Sequence, residues 1–311
     1  MAKYFVTGGA GFIGANLVRS LASAGEKVAI LDDFSTGKKK HLRDLPKDTR
    51  IIEGDVADLR ELKKQVRGCE FVVHLAGQPS VLRSVKDPVH TTECNAVGTL
   101  NALLAARDAK VKRFIYVGSA AAYGESPALP KLESMPDAPL SPYAVSTIAA
   151  EHQCRVFFST YGLQTVILRA FNVYGPHQES SGPHAAVVSK FVTTLVDGTA
   201  PVISGDGKQS RDFVHVSDLV DAIKAACIAP KAEGELFNVA TGSRITINGL
   251  VNMINGLLGK EIQPKYEEAR PGDIRHSLAD ITKAQEMLGF RPRVSVHDGL
   301  KSTLEWYRKE N

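Results

Sequence analysis

Two hydroxyl-bearing side chains, Ser119 and Tyr143, carry the most specific chemical signal in the sequence. Ser119 ends the apolar run RFIYVGS, and Tyr143 follows 24 residues later in SPYAVSTIAAEH. A phenol beside an alcohol suits proton transfer to or from the oxygen of a hydroxylated substrate. The alternative is that Tyr143 only packs in the core, so its surroundings decide between the two interpretations.

The residues around Tyr143 predict the start of a helix. Ser141 is expected to cap it, and Pro142 is expected to occupy the first helical position. Tyr143 and Thr147 are four residues apart, which puts them on the same helix face, one turn from each other. Thr147 is therefore a neighbour of the phenol and bears on its ionisation.

A glycine-rich turn, TGGAGFIG, follows the first apolar strand and opens a helix. Gly8, Gly11 and Gly14 suit a tight turn, a close approach of backbone to a pyrophosphate, and close packing of helix on strand. The helix N-terminus also attracts negative phosphates. In this context the turn predicts a dinucleotide site.

An acidic pair, Asp32-Asp33, ends the next strand about twenty residues further on. A carboxylate at Asp32 can bind the adenosine ribose hydroxyls and would repel a 2′-phosphate, which favours NAD. The nearby lysines Lys38–Lys40 leave NADP as the alternative, although they are expected to form a solvated surface turn with His41. Beside a nicotinamide, Ser119 and Tyr143 would support proton-coupled hydride transfer at a carbinol carbon.

Apolar strands alternate with helical patterns through the first half of the chain. This alternation predicts βαβ units and a parallel sheet covered on both faces. Asp55 and the turn Leu75-Ala76-Gly77 follow the third and fourth strands, at the carboxyl edge where ligands bind in such folds. The run QTVILRAFNVYG at 164–175 is predicted to be one strand.

The predicted fold class is α/β, a Rossmann-type doubly wound parallel sheet with a smaller α/β substrate domain. From about Gly175 the chain becomes rich in Pro, Gly, His and Ser loops. We therefore predict an NAD-binding domain over 1–170, with a return segment near 211–240, and a mainly substrate-binding domain over 171–311.

Bulk properties exclude several classes of function. The net charge of +4 is mild, and the charges are scattered along the chain, so no nucleic-acid partner is expected. The four cysteines show no metal-ligand spacing, which favours a reduced, cytoplasmic setting and no metal site. No apolar run approaches the ~20 residues that span a bilayer, so no membrane association is expected.

The chain resembles the UDP-hexose 4-epimerases, which are extended short-chain dehydrogenases/reductases. The matching motifs cover almost its whole length and occur in family order: TGGAGFIG, DDFSTG, HLAGQPSV, NAVGT, SPYAVS, LRAFNVYGP, GDGKQSRDFVHVSDL and RPGDIRHSLAD. Together they are far more specific than the glycine turn alone.

The resemblance implies roles for individual residues. Tyr143 would be the catalytic base and Ser119 its partner. The implied NAD-binding positions are Gly8, Gly11, Phe12, Ile13, Gly14, Asp32, Asp33, Asp55, Val56, Leu75, Ala76, Gly77, Asn95, Tyr143 and Thr147. The implied UDP-sugar positions are Val81, Ser119, Asn172, Arg211, Arg270, Asp273 and Ser277. The family also implies a homodimer formed by helices near 95–108 and 142–160.

Two details narrow the choice of reaction and substrate. Related 4,6-dehydratases carry an Asp-Glu pair after the catalytic hydroxyl, whereas this chain has Ala120-Ala121, which argues against dehydration. Ser277 occupies the position at which these epimerases limit the size of the sugar, and a serine leaves room for an N-acetyl group. The resemblance thus implies UDP-GlcNAc/UDP-GalNAc or UDP-Glc/UDP-Gal as substrate.

The sequence departs from the family at Thr147, where the pattern Tyr-x-x-x-Lys has lysine. A free tyrosine has a pKa of ~10, and a nearby cation lowers such a pKa by roughly 1–3 units. Threonine brings no charge, so we expect NAD to bind but turnover to be impaired. The alternatives are a weak or inactive NAD/UDP-sugar-binding protein and another UDP-sugar-modifying enzyme of this superfamily, such as a UDP-glucuronate epimerase.

Overall fold

The computed structural model describes residues 2–179, 186–269 and 274–310. Its strands are β1 (Tyr4–Thr7), β2 (Val28–Asp32), β3 (Arg50–Glu53), β4 (Phe71–His74), β5 (Arg113–Ser119), β6 (Thr165–Ala170), β7 (Val173–Tyr174), β8 (Val202–Ser204), β9 (Ser210–Arg211), β10 (Val214–His215), β11 (Leu236–Val239), β12 (Ile245–Thr246) and β13 (Lys265–Glu267). Seven of them form one parallel sheet in the order β3-β2-β1-β4-β5-β6-β11. The predicted doubly wound α/β class is confirmed.

The central strands of this sheet are buried on both faces, as expected for a parallel sheet covered by helices. In register, Tyr4 of β1 lies opposite Val28 of β2 and Phe71 of β4. The strand order reverses at β1, between β2 and β4. Ligands bind outside the carboxyl ends of the strands at such a switch point, so this edge is where a site is expected.

Helices cover both faces of the sheet and build the second half of the chain. They are α1 (Phe12–Ser23), α2 (Leu59–Gln65), α3 (Val81–Lys86), α4 (Pro88–Thr92), α5 (Gly98–Asp108), α6 (Pro142–Tyr161), α7 (Val187–Val196), α8 (Val216–Ile228), α9 (Ile247–Leu258), α10 (Thr282–Leu288) and α11 (Val296–Glu310). One core cluster unites the sheet with α1 and α8, and a second unites it with α2, α5 and α6. The sheet therefore has apolar packing on both faces.

The second half of the chain has its own apolar core. Phe191 of α7, Leu250 and Ile254 of α9, and Leu300 and Leu304 of α11 are buried together. Three small two-stranded pairings, β7 with β10, β8 with β13 and β9 with β12, connect its loops. Both α8 and β11 pack in the large sheet layer, and the domain boundaries near residue 170 stay a prediction.

Helix α6 begins where the sequence predicts. The Ser141 hydroxyl accepts a hydrogen bond from the Ala144 amide at 3.1 Å, and Pro142 occupies the first helical position. The helix ends at Gly162, whose φ of 70° is the left-handed conformation typical of a glycine C-cap. The local signals at both ends thus account for its length.

The single strand predicted over 164–175 is wrong. Strand β6 ends at Ala170, and β7 pairs with β10 outside the large sheet. Phe171 is fully buried, and the side chain of Asn172 donates to the carbonyl of Asp212 at 3.1 Å. These two contacts turn the chain out of the sheet and towards the second half.

The basic run at residues 38–41 is only partly the surface turn that was predicted. The lysines are exposed, but His41 is buried, and its Nδ1 lies 3.0 Å from the Ala10 carbonyl oxygen. The His41 ring contacts His177, and His177 contacts Trp306 of α11, with ring centroids 5.1 and 5.3 Å apart. We call His41, His177 and Trp306 the histidine cluster, which joins the glycine turn to the second half.

Three general features of the described residues bear on function. No helix among them is long and apolar enough to cross a bilayer. All four cysteines are free, and three of them are buried. Within the described ranges, no group of three or more His, Cys, Asp and Glu side chains is arranged to hold a metal ion.

Candidate functional site

The glycine turn is held by contacts between backbone atoms. Gly8 has a φ of 68°, and a Cβ there would lie 2.7 Å from the Ala76 nitrogen, next to β4. A Cβ at Gly14 would lie 2.1 Å from the Gly8 carbonyl oxygen. Both positions exclude any side chain, because backbone atoms cannot give way as a flexible side chain can. The turn and β4 are therefore packed as closely as a pyrophosphate-binding loop requires.

The start of α1 offers free amide groups to a negative ligand. Gly11 is its N-cap and provides no side-chain hydrogen bond, and Phe12 and Ile13 form the first turn, half-buried. The first N–H groups of a helix lack partners within the helix and carry a partial positive charge. This arrangement fits the phosphates of a dinucleotide.

Asp32 connects the end of β2 to the glycine turn. One carboxylate oxygen accepts the Ala10 amide at 2.8 Å, and the other accepts the Phe34 amide at 2.9 Å. Burial raises the pKa of this carboxyl, and the two amide bonds oppose that shift. Each oxygen keeps a second lone pair for a ribose hydroxyl. The exposed Asp33 instead accepts the amide and hydroxyl of Ser35 at 2.9 and 2.7 Å.

The predicted residues after β3 and β4 lie at the same carboxyl edge. Asp55 is exposed and accepts the Ala57 amide at 2.8 Å, while Val56 is buried. The amides of Leu75 and Ala76 donate to the hydroxyl of Thr7 in β1 at 3.2 and 3.3 Å. The two switch-point strands are thus joined where the cofactor is expected.

Asn95 lies in a wide, π-type turn at Glu93–Val97, directly before α5. Its oxygen accepts the Gln78 amide at 2.7 Å, and its amide donates to the Gln78 carbonyl at 3.2 Å and to the Ser146 hydroxyl at 2.9 Å. Ser146 in turn donates to the Tyr143 carbonyl at 2.8 Å. Asn95 therefore fixes the loop after Gly77 and connects it to the helix that carries Tyr143.

Ser119 and Tyr143 come together as the sequence predicts. The Ser119 hydroxyl lies near enough to the Tyr143 phenol to affect its pKa, and Ser119 accepts the Ala121 amide at 3.1 Å. Burial raises the pKa of the Tyr143 phenol, the neighbouring Ser119 hydroxyl lowers it, and the charge of Glu151 raises it. The net direction is upward, so the phenol is protonated at neutral pH.

Thr147 does not oppose the upward shift of the Tyr143 pKa. It is 4% exposed, and its hydroxyl donates to the Ala144 carbonyl of the same helix at 2.9 Å. That bond is the usual local one for a threonine inside a helix. The hydroxyl therefore supplies neither a charge nor a donor directed at the phenol.

A buried ion pair lies close to Ser119 and Tyr143, and sequence reasoning missed it. Arg169 of β6 donates to both oxygens of Glu151 in α6, at 2.6–3.0 Å, and each residue is 2% exposed. A Cβ at Gly118 would lie 2.8 Å from the Glu151 carboxylate. Strand β5 therefore passes directly over this ion pair, one residue before Ser119.

Burial raises the pKa of the Glu151 carboxyl, and the bonds to Arg169 lower it. The guanidinium also lies 4.6 Å from the ring centre of Tyr123 and pairs with Asp137. In the sequence, the only sign of this ion pair is a charged residue within an apolar strand. Such a residue needs a buried partner, but the sequence does not show which residue that partner is.

Three of the five predicted substrate residues that the structure describes lie at or contact residues 210–212. The Asn172 amide donates to the Asp212 carbonyl at 3.1 Å, Arg211 donates to the Ser210 carbonyl at 3.0 Å, and the Ser277 amide donates to the same carbonyl at 3.0 Å. Val81 begins α3 and is 45% exposed. Arg270 and Asp273 lie outside the described residues.

The comparisons with known proteins agree with this geometry. A model of the NAD dependent epimerase/dehydratase family matches residues 4–240. The UDP-glucose 4-epimerase of Mycolicibacterium smegmatis is 38% identical over 99% of this chain and 99% of its own.

Two solved structures share the whole fold. The UDP-N-acetylglucosamine 4-epimerase of Methanobrevibacter ruminantium, in complex with UDP-N-acetylmuramic acid, has a TM-score of 0.95 at 37% identity and covers 100% of this chain and 99% of its own. The UDP-glucose 4-epimerase of Thermotoga maritima, with UDP-glucose, has a TM-score of 0.94 at 36% identity over 99% of each chain. The predicted resemblance and the NAD cofactor are confirmed, and the chain belongs to the NAD dependent epimerase/dehydratase family.

Proposed function

We propose that the protein inverts the configuration at C4 of a UDP-hexose. The observation that carries the proposal is the neighbouring pair Ser119 and Tyr143, at the same sheet edge as the glycine turn. Tyr143 would take the proton of the C4 hydroxyl and later return it, while Ser119 holds the same oxygen. NAD, when bound, supplies reversible hydride acceptance, so the overall reaction involves no net oxidation.

Named residues of this chain would hold the two ligands. The glycine turn and the start of α1 would bind the NAD pyrophosphate, and Asp32 would bind a ribose hydroxyl. For the substrate, Arg211 and, by resemblance, Arg270 would bind the diphosphate, because guanidinium groups form paired, charge-assisted hydrogen bonds with phosphate oxygens. Support comes from the convergence of Asn172, Arg211 and Ser277 on one backbone segment.

The sugar is proposed to be N-acetylated, with UDP-Glc and UDP-Gal as the alternative substrates. Ser277 is small and buried, and its amide is held by the Ser210 carbonyl, which keeps the position fixed. The relative from Methanobrevibacter ruminantium is named as a UDP-N-acetylglucosamine 4-epimerase, which supports this assignment. Ala120 and Ala121 follow Ser119 and provide no acid or base, which disfavours dehydration.

Incubation with UDP-GlcNAc or UDP-glucose tests the proposal. NMR of the anomeric proton should show the C4 epimer appearing until both epimers are at equilibrium. A Tyr143→Phe variant is the matched control, since it removes the phenolic oxygen and keeps the ring. If wild type and Tyr143→Phe give the same result with every UDP-hexose supplied, the proposed reaction is wrong.

A second candidate function is the binding of NAD and a UDP-sugar with negligible turnover. Thr147 favours it, because its hydroxyl is used within its own helix and the Tyr143 phenol keeps a raised pKa. A Thr147→Lys variant separates the two functions. If this variant binds UDP and retains NAD but forms no epimer, the binding-only function is supported.

We also propose a homodimer formed through α5 and α6. Val97, Val145 and Val156 are 44–54% exposed and lie on or beside these two neighbouring helices. A second copy related by a two-fold axis would cover the same apolar residues on both subunits. Light scattering should give twice the chain mass for the wild type and a monomer for a Val145→Asp/Val156→Asp variant. A monomeric wild type would contradict the proposal.

A further inference from the structure

We propose that Asp212 is a positioning residue that holds the loops of the UDP-binding half together. This inference rests on the proposed function, because it concerns the residues that would contact the nucleoside diphosphate. Asp212 follows Arg211 in the chain, yet its own side chain is fully buried. It therefore acts on the ligand only through its neighbours.

The Asp212 carboxylate accepts four hydrogen bonds from two distant segments. One oxygen accepts the amide and hydroxyl of Thr241 at 2.8 and 2.6 Å. The other oxygen accepts the amides of Gly242 and Ala279 at 3.0 and 3.3 Å. The loop after β11 and the segment that contains Ser277 are thus joined at one carboxylate.

The backbone around Asp212 extends the same arrangement to the proposed ligand contacts. The Asp212 carbonyl accepts the side-chain amide of Asn172. The nearby Ser210 carbonyl accepts the Arg211 side chain and the backbone amide of Ser277. A shift of Asp212 would therefore displace all three predicted substrate residues together. No other buried carboxylate of the described residues has partners on this set of segments.

Only a carboxylate satisfies this arrangement. Every partner of the side chain is a donor, and an ionised carboxylate is an acceptor at both oxygens. Asparagine has nearly the same shape, but its NH₂ group would face either the amides of Gly242 and Ala279 or the two donors of Thr241. Donors would then meet donors, so one of the two segments must move away.

The test compares Asp212→Asn with Asp218→Asn in the full-length protein. Asp218 is a matched control, since it is 2% exposed and accepts the amides of Arg293 and Val294 at 3.0 and 3.2 Å. Both variants should lower the melting temperature. Only Asp212→Asn should weaken the binding of UDP, by about tenfold or more in calorimetry (~1.4 kcal/mol), with bound NAD unchanged.

Thr241 allows a graded test. Thr241→Val removes one donor to the carboxylate and should weaken UDP binding by about threefold, because one of four hydrogen bonds is lost. Thr241→Ser keeps the hydroxyl and should bind UDP as the wild type does. In turnover assays, the KM for the UDP-sugar should rise in Asp212→Asn by a larger factor than kcat falls.

Hydrogen exchange separates failure of this inference from failure of the proposed function. If the wild type does not bind UDP, the proposed substrate class is wrong, and exchange at the amides of Thr241, Gly242 and Ala279 still tests the role of Asp212. Faster exchange there in Asp212→Asn, but not in Asp218→Asn, supports the inference. Unchanged exchange, or UDP binding equal to that of the wild type in Asp212→Asn, overturns it.

Discussion

The proposed cofactor half and the proposed substrate half of the site each contain a buried aspartate, and the two aspartates differ in how far along the sequence their partners lie. Asp32 accepts amides that lie 2 and 22 residues away in the sequence. Asp212 accepts amides that lie 29, 30 and 67 residues away. Asp32 is thus held within one βαβ unit, whereas Asp212 joins several separate segments of the chain.

This difference also affects what each half tolerates. In the cofactor half, backbone packs on backbone at Gly8 and Gly14, so a single added carbon has no room. In the substrate half, loops are held by side-chain hydrogen bonds to Asp212, which can be lost one at a time. We therefore expect the cofactor half to fail abruptly and the substrate half to weaken in steps.

The largest effect is expected from an added methyl group in the cofactor half. In Gly14→Ala the new Cβ would lie 2.1 Å from the Gly8 carbonyl oxygen. The strain should cost about 3 kcal/mol or more and prevent NAD retention. Melting temperature and the NAD content of the purified protein measure both effects.

The matched control lies in the substrate half. Gly256 in α9 is also helical, but a Cβ there would meet nothing within 4 Å. Gly256→Ala should be neutral or stabilise the protein by about 0.5–1 kcal/mol, since alanine has the higher helix propensity. Equal effects of the two substitutions would contradict the expected difference in tolerance.

The next largest effect is expected beside Tyr143, where the proposed cofactor and substrate halves meet. Thr147→Lys should raise turnover about ten- to a thousandfold, because a cation beside Tyr143 stabilises the phenolate. The rate of the wild type should rise with pH, since its phenol has a raised pKa, and the profile of the variant should move to lower pH. Initial rates measured by NMR at several pH values test both the faster turnover and the shifted pH profile. An unchanged rate would show that the missing charge does not limit catalysis.

A third prediction concerns the histidine cluster, which joins the halves. Burial, followed by the charges of His41 and Arg19, lowers the pKa of His177 to about 4. The unfolded chain binds this proton near pH 6.5, so the folded state should lose stability as the pH falls from about 6.5 to 4, by up to ~3 kcal/mol. Denaturant unfolding at several pH values measures the loss.

His177→Asn should reduce that acid loss, although His41, whose pKa burial also lowers, will still contribute to it. His297 is 59% exposed at its side chain and lies outside the histidine cluster, so His297→Asn serves as a control for the loss of a surface histidine. If His177→Asn and His297→Asn show the same loss of stability at low pH, the histidine cluster does not cause that loss.

The smallest effect is expected at the sugar position of the substrate half. Ser277→Tyr should lower kcat/KM for UDP-GlcNAc about tenfold relative to UDP-glucose, because the ring fills the space for an N-acetyl group. NAD content should not change, since Ser277 belongs to the other half. Competition assays with both sugars measure the ratio, and an unchanged ratio would remove Ser277 as the determinant of sugar size.

Local patterns predicted most of the fold and part of the site. The caps of α6, the strands β1 to β5 and the proximity of Ser119 and Tyr143 all follow from motifs of a few residues. The prediction of one strand over 164–175 was wrong, because apolar residues continue past Ala170 and the break depends on the burial of Phe171 and on the contact of Asn172 with a distant residue.

The functional candidates that the sequence did not reveal were missed for one common reason. Glu151, Arg169 and Asp212 read in the sequence as ordinary charged residues, and such residues are usually exposed. Their roles depend on partners between 18 and 67 residues away. One amino-acid sequence contains no signal that shows which distant residues become their partners.

From the sequence alone, the α/β class and the NAD cofactor could be predicted, and Ser119 and Tyr143 could be singled out as candidate reacting residues. These predictions depend on turns, helix caps and strand patterns of a few residues each, which residue types specify directly. The folded structure was needed to show that Thr147 bonds within its own helix, that an ion pair packs under Gly118 next to Ser119, and that Asp212 joins the loop after β11 to the segment that contains Ser277. Burial decides these roles, because a buried charge or donor must find its partner wherever the folded chain brings one near.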